Sequence, residues 1–195
     1  MTPAPQHADR TEKREAILEA ALELFSERGF HGTSMPELAE RAGVGAGTIY
    51  RYFDGKEALV NVLYQENKRE FVRSTVDDFP FAAPAREQFH ALWTRLFKFA
   101  VERPKALKFL ELHHHAEYLD EESHKLETRS LDLGIGFLEL TRRAQVTKDV
   151  PSAILISIVW GAFVRLVRAS WECQLELTPA VIAQAEACCW EAIRR

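Results

Sequence analysis

The sequence predicts an all-α protein, and three observations carry that prediction. Apolar residues recur at spacings of three and four through almost the whole chain, with no strict alternation bounded by turn residues. Proline and glycine fall at the ends of these periodic segments. Helix-start chemistry recurs where the segments begin, as Ser34 with Glu37, Asp54 with Glu57, and Thr178 followed by Pro179.

The first helix is expected over 11–28, after an N-terminal arm over 1–10. Ile17, Ala21, Leu24 and Phe25 share one face, widened by Leu18 and Leu22, and Gly29 follows as a left-handed cap. The second helix spans 35–42, with the Ser34 hydroxyl capping the Glu37 amide and Gly43 closing it. A third helix over 46–52 follows a short turn. Asp54 and Glu57 then open a fourth near Lys56, which runs to about Thr75 on a stripe of Leu59, Val60, Leu63 and Tyr64. Residues 77–84 read as a loop. Further helices are expected over 84–101, 104–118, 121–143, 151–170 and 179–194; Pro104 and Pro179 suit first-turn positions because proline has no N–H to lose there.

Composition narrows the class. The chain has 195 residues, is 47% hydrophobic and 28% charged, and carries a net charge of -4. That is enough apolar material for a substantial core and is unlike a disordered chain. The longest uncharged apolar segment, over 151–164, falls short of the roughly 18 residues that span a bilayer. The polar first ten residues lack the apolar middle of a signal peptide, so the expected location is the cytoplasm, without a membrane partner. Cys173, Cys188 and Cys189 form an odd set without metal-site spacing and are expected to be small buried thiols in a reducing compartment.

Two short helices joined by Gly43-Val44-Gly45-Ala46 match the helix-turn-helix plan. The second presents Thr48, Tyr50, Arg51 and Tyr52, which can reach phosphates and base edges. Ile49 and Phe53, four apart, would moor it inward. Charge argues the other way: residues 1–60 hold seven Lys and Arg against ten Asp and Glu. Nucleic-acid binding would require the basic groups to gather on one face.

The run Ile17-Leu18-Glu19-Ala20-Ala21, Leu24-Phe25, Gly29-Phe30, Thr33-Ser34, Leu38-Ala39, Ala42-Gly43-Val44, Gly47-Thr48-Ile49-Tyr50-Arg51-Tyr52-Phe53 and Lys56-Glu57-Ala58-Leu59 resembles the tetracycline-repressor-like (TetR) family. The resemblance implies an N-terminal three-helix DNA-binding domain over 11–56 and a C-terminal helical ligand-binding and dimerisation domain over 57–195. It implies double-stranded DNA, a small-molecule effector and a second copy of the chain as partners. It also implies DNA-facing roles for Thr33 and Ser34 at a helix start, for Ala46, Gly47 and Thr48 at the opening of the recognition helix, for Tyr50, Arg51 and Tyr52, and for Lys56 as a phosphate contact. Gly45 and Ala46 depart from the family pattern, standing where a serine cap and a longer base-reading side chain often occur. Recognition is therefore expected to lean on phosphate contacts, thymine methyls and DNA shape.

The resemblance further implies that the last two helices build a dimer interface. The stripes that fit are Leu155, Val159, Ala162 and Leu166, flanked by Ile158, Gly161 and Arg165, and Ile182, Ala185, Cys189 and Ile193. Half-sites about 34 Å apart require two reading heads. An apolar pocket is expected from Trp93, Phe97, Leu110, His114, Phe137 and Trp160. The run His113-His114-His115 cannot ligate one metal from a helix, because consecutive residues point about 100° apart. Glu111 with His115, or His113 with Glu117, could form half a site, with His124 or Asp120 beyond. No full ligand set is visible, so neither metal nor cofactor is expected. No nucleophile elbow, phosphate-cradling loop or metalloprotease helix appears, so the chain is not read as an enzyme. A helical interaction module that has lost DNA binding is the other alternative.

Overall fold

The computed structural model describes residues 5–112 and 117–195, with side chains from residue 10 and excluding that of Leu112. Among them are nine α-helices and no extended strand: α1 (Pro5–Arg28), α2 (Met35–Arg41), α3 (Ala46–Ile49), α4 (Lys56–Val76), α5 (Ala85–Glu102), α6 (Pro104–Leu112), α7 (Glu121–Arg143), α8 (Ser152–Trp171) and α9 (Pro179–Ile193). Helix α1 begins at Pro5, so part of the expected arm is helical. The chain forms two compact units, one of residues 1–69 and 104–126, the other of 70–103 and 127–195. The division expected at residue 56 falls inside the first unit, and α6 belongs with the N-terminal helices.

The first unit is built on the α1 stripe. Ile17, Ala21 and Phe25 are fully buried, as are Leu38 of α2, Ile49 of α3 and Leu59 of α4. Helix α6 packs along α1, with the Phe109 ring 6.2 Å from that of Phe25. Each such leucine, isoleucine or phenylalanine contributes about 1.5–3 kcal/mol by leaving water, so the short α2 and α3 persist through packing rather than propensity. Gly29 (φ 70°) and Gly43 (φ 66°) turn the chain out of α1 and α2 through the left-handed region, as their positions predicted. Ser34 and Glu37 make the expected capping box. Asp54 and Glu57 do not make one; Gly55, at φ 119°, precedes α4 and its carbonyl accepts the Leu59 amide. Asn61 fastens the 118–123 connection to α4: its amide donates to the Glu57 and Tyr118 carbonyls, and its oxygen accepts from the Asp120 amide and the Ser123 hydroxyl.

The second unit has an aromatic core. Ring centroids follow one another at 5.3 Å from Trp190 to Phe89, 5.9 Å to Trp93, 5.2 Å to Phe97, 5.1 Å to Phe163 and 5.2 Å to Trp160. The Trp160 ring lies 5.9 Å from Phe71, which lies 5.1 Å from Phe99. Arg95 of α5 donates to the Thr75, Asp77 and Asp78 carbonyls, satisfying the open end of α4. The buried Glu186 carboxylate of α9 is held by Arg86 and His90 of α5, at 2.5 and 2.8 Å. Such a carboxylate needs partners, because burial alone would strongly disfavour its charge. Thr147 bridges Arg194 in a single antiparallel pair that ties the α7–α8 connection to the C-terminus.

Helix α8 is long and apolar enough to cross a membrane by length and composition, despite the expectation from its uncharged core segment. Leu155, Val159, Phe163 and Val167 form a buried stripe at four-residue spacing within the second unit. Arg165 and Arg168 both reach Glu172 at its C-terminal end.

Candidate DNA-binding head

Local chemistry sets the direction of the recognition segment. Gly45 stands at the N-cap of α3, in extended conformation and without a side-chain cap. The helix has one regular turn. The Arg51 and Tyr52 amides then bond the Thr48 and Ile49 carbonyls, carrying the rod on as a tighter turn to Phe53. Ile49 is 0% exposed and Phe53 5%, so both moor the rod as expected. Tyr50 is 56% exposed, Arg51 is exposed and Tyr52 is half-buried. Ala46 and Gly47 are exposed and Thr48 half-buried, leaving the N-terminal end of the rod a low, open surface.

Two residues expected at phosphates have other partners. Thr33 is 2% exposed, and its hydroxyl donates to the Gly29 carbonyl at 3.0 Å. The reason is steric: the turn after α1 folds Thr33 beneath itself, so Ser34 alone of that pair faces solvent. Lys56 points into the head. Its Nζ donates to the Thr33 carbonyl at 2.7 Å and lies 4.1 Å from the Phe30 ring centroid. Burial pushes its ammonium below the ordinary lysine range. Tyr118 stacks on the same ring at 4.2 Å. Sequence reasoning missed this sandwich because nothing local to Phe30 marks residue 118 as its partner.

Some carboxylates of the head are engaged internally. Glu23 takes Arg41 of α2 and Lys105 of α6, which hold its carboxyl below the usual range. Glu37 accepts from Ser34 and pairs with Arg28, and is lowered likewise. Glu66 takes Arg14. These pairs are partly exposed and contribute little to stability, but they remove carboxylates from competition with phosphate.

The family comparisons agree with this geometry. Residues 17–63 match the bacterial regulatory proteins of the tetR family, and residues 64–195 match the tetracyclin repressor-like C-terminal domain. The chain belongs to the TetR family. It is 24% identical over 186 residues to an HTH-type transcriptional regulator of Haemophilus influenzae, covering 95% of this chain and 98% of that one. A TetR family transcription regulator from Marinobacter aquaeolei superposes with a TM-score of 0.83 at 26% identity, covering 98% of this chain and 99% of that one. FadR of Bacillus subtilis, solved with stearoyl-CoA, has a TM-score of 0.70 at 21% identity, covering 90% and 96%; at that identity the likeness is one of fold. This TetR-family chain is thus an all-helical DNA-binding transcriptional regulator with a helix-turn-helix head.

The C-terminal expectations divide. Trp93 and Phe97 are buried, and Phe137 and Trp160 half-buried, all in the second unit. Leu110 is buried on α6 in the first unit. His113, His114 and His115 lie outside the described residues. Among the described residues no group of three His, Cys, Asp or Glu could hold a metal. The Trp93 indole N–H donates to the Ile182 carbonyl at 3.0 Å.

Half of the expected interface residues are buried within the chain. Leu155, Val159, Cys189 and Ile193 are buried against their own unit; Ala162, Leu166, Ile182 and Ala185 are half-buried. The faces left open are the neighbouring ones. On α8 these are Ile154 (51% exposed), Ile158 (40%), Gly161 and Arg165; on α9 they are Ala183, Ala187 and Cys188. Cys173 is exposed too, so only Cys189 is the small buried thiol expected of all three.

Proposed function

We propose that this TetR-family regulator is a homodimeric repressor that leaves a palindromic operator when a hydrophobic or aromatic small molecule binds its C-terminal domain. The observation that carries the reading is the outward presentation of Tyr50 and Arg51 from a rod anchored by Ile49 and Phe53. Tyr50, Arg51, Tyr52, Thr48 and Ser34 are assigned to DNA, with Ala46 and Gly47 allowing close approach to thymine methyls and backbone. Thr33 and Lys56 act by positioning: Lys56 holds the start of α4 on the loop that carries the Ser34 cap. The protein acts by binding in the cytoplasm, without turnover or cofactor.

A second subunit would cover the open α8 and α9 faces, where Gly161 and the α9 alanines permit close helix approach. Isologous pairing supplies two reading heads for successive major grooves. The aromatic core between α5 and α8 favours an apolar or aromatic ligand body, since its indole N–H from Trp93 is already engaged. FadR of Bacillus subtilis, holding stearoyl-CoA, supports an apolar effector by analogy of fold. A ligand preferring the splayed dimer by about 1–3 kcal/mol would shift occupancy 5- to 150-fold. The α4 rod, with Asn61 gripping the 118–123 connection, is the element through which that preference reaches the head.

The test is selection of bound duplexes from a random pool, followed by titration of the selected duplex with a panel of acyl-CoA thioesters and aromatic compounds. The reading expects a two-fold-symmetric consensus, steep salt dependence and release by at least one panel class. Recovery of no enriched sequence would overturn it.

A further inference from the structure

The basic residues of the first unit are not equivalent. Arg14, Arg28, Arg41, Arg69, Lys105 and Lys125 each pair with a carboxylate, and Lys56 bonds a carbonyl. Arg10, on the second turn of α1, has no carboxylate within salt-bridge distance among the described residues, and neither does Arg51. Arg10 is exposed, and its guanidinium carbon lies 5.9 Å from the centroid of the Tyr52 ring. Arg14, one turn on, stands 6.0 Å from the Phe53 ring while its charge is spent on Glu66. The start of α1 therefore runs beside the end of the recognition rod, and it brings an exposed cation without a carboxylate partner to the Tyr52 ring.

We infer that Arg10 is a further DNA contact, a phosphate clamp that the Tyr52 ring pre-positions. A guanidinium over a tyrosine face keeps its N–H donors free at the rim while losing rotamer freedom before binding. Its geometry suits a non-bridging phosphate oxygen and carries no base information. The expected arm over 1–10 would have left this charge unplaced; the helix that begins at Pro5 fixes it beside the rod. The inference rests on the DNA-binding reading above.

The test uses the full-length protein, a duplex recovered from the random pool and an unrelated duplex of equal length, with fluorescence anisotropy over a range of potassium chloride. Loss of one phosphate contact flattens the log–log salt slope by about 0.9. Against a 1 M reference, that weakens binding about eightfold per subunit at 0.1 M salt. Arg10→Ala is expected to show both changes on both duplexes, Arg10→Lys to keep most of the slope, and Arg129→Ala on α7, an equal charge loss elsewhere, to change neither. If Arg10→Ala perturbs the thermal transition, Arg10→Gln supplies the comparison. Unchanged slope and affinity in a folded Arg10 variant would overturn the inference, and so would weakening confined to the selected duplex. If the parent protein binds neither duplex, the DNA-binding reading itself fails, a result distinct from either.

Discussion

Removing the Lys56 ammonium should loosen the head from within. Nζ donates a charge-assisted bond to the Thr33 carbonyl at 2.7 Å and lies 4.1 Å above the Phe30 ring. A hydrogen bond to a charged group contributes about 1.5–3 kcal/mol, and a partly buried cation–π contact about 1 kcal/mol. Against these stands the desolvation that lowers the Lys56 pKa. Lys56→Met keeps the stem over Phe30 and deletes only the charged head, so a net loss of about 2 kcal/mol is expected. Urea denaturation can assign the loss to a unit, because all four tryptophans, Trp93, Trp160, Trp171 and Trp190, belong to the second. Circular dichroism reports all helices; tryptophan fluorescence reports the second unit. The circular-dichroism transition should move by about 2 kcal/mol, and fluorescence should follow only as far as the units unfold together. A shift below about 0.5 kcal/mol in both would refute the inward role and return Lys56 to the phosphate contact that the family resemblance implied.

Four further outcomes follow from the same geometry. Ser34→Ala removes the α2 cap and its half of the box with Glu37, so the head should lose about 1 kcal/mol in the same denaturation assay. Ile158→Arg places a charge on the open α8 face and should yield monomers in sedimentation equilibrium without loss of helicity. Leu155→Ala should instead cost about 2–5 kcal/mol of stability, because Leu155 is buried in its own unit. Glu139 is held down to a pKa of about 2 by Arg142, Arg143 and Ser152, against an ordinary 4.5. Between those values the unfolded chain binds more protons, so stability is full above about pH 4.5 and falls as pH drops toward 2. Glu139→Gln should flatten that part of the urea-midpoint profile; a profile as steep as the parent's would contradict the assignment.

The head was legible in the sequence wherever one residue type has one physical use. Gly29 and Gly43 occupy the left-handed positions that their helix ends require, Ser34 and Glu37 cap each other, and Ile49 and Phe53 share a face because they stand four apart. What local chemistry could not show was long-range partnership. Lys56 reads as an exposed helix-start cation, and only the tertiary fold reveals the Thr33 carbonyl and the Phe30 ring beneath it. Thr33 reads as a phosphate ligand until the turn after α1 is seen to bury it. Helix α8 was hard to read for another reason. From Ala153 to Val164 it is apolar on nearly every side, so periodicity cannot say which stripe faces its own unit. The Leu155 stripe went inward, and Ile154 and Ile158 remained outside. The charge deficit of residues 1–60 is real: of its carboxylates Glu23 and Glu37 pair with cations of the same unit, while the exposed Arg10 and Arg51 have no carboxylate partner among the described residues.

The central claim is that the rod from Ala46 to Phe53 turns its tyrosine and arginine toward a duplex. Its most direct test is the affinity of a Tyr50→Ala, Arg51→Ala double variant for the duplex selected by the parent protein, with folding checked by thermal melting. Two lost contacts in each of two heads, at about 1 kcal/mol or more apiece, should weaken binding at least several hundredfold. A variant that melts like the parent and binds with the parent's affinity would contradict the account.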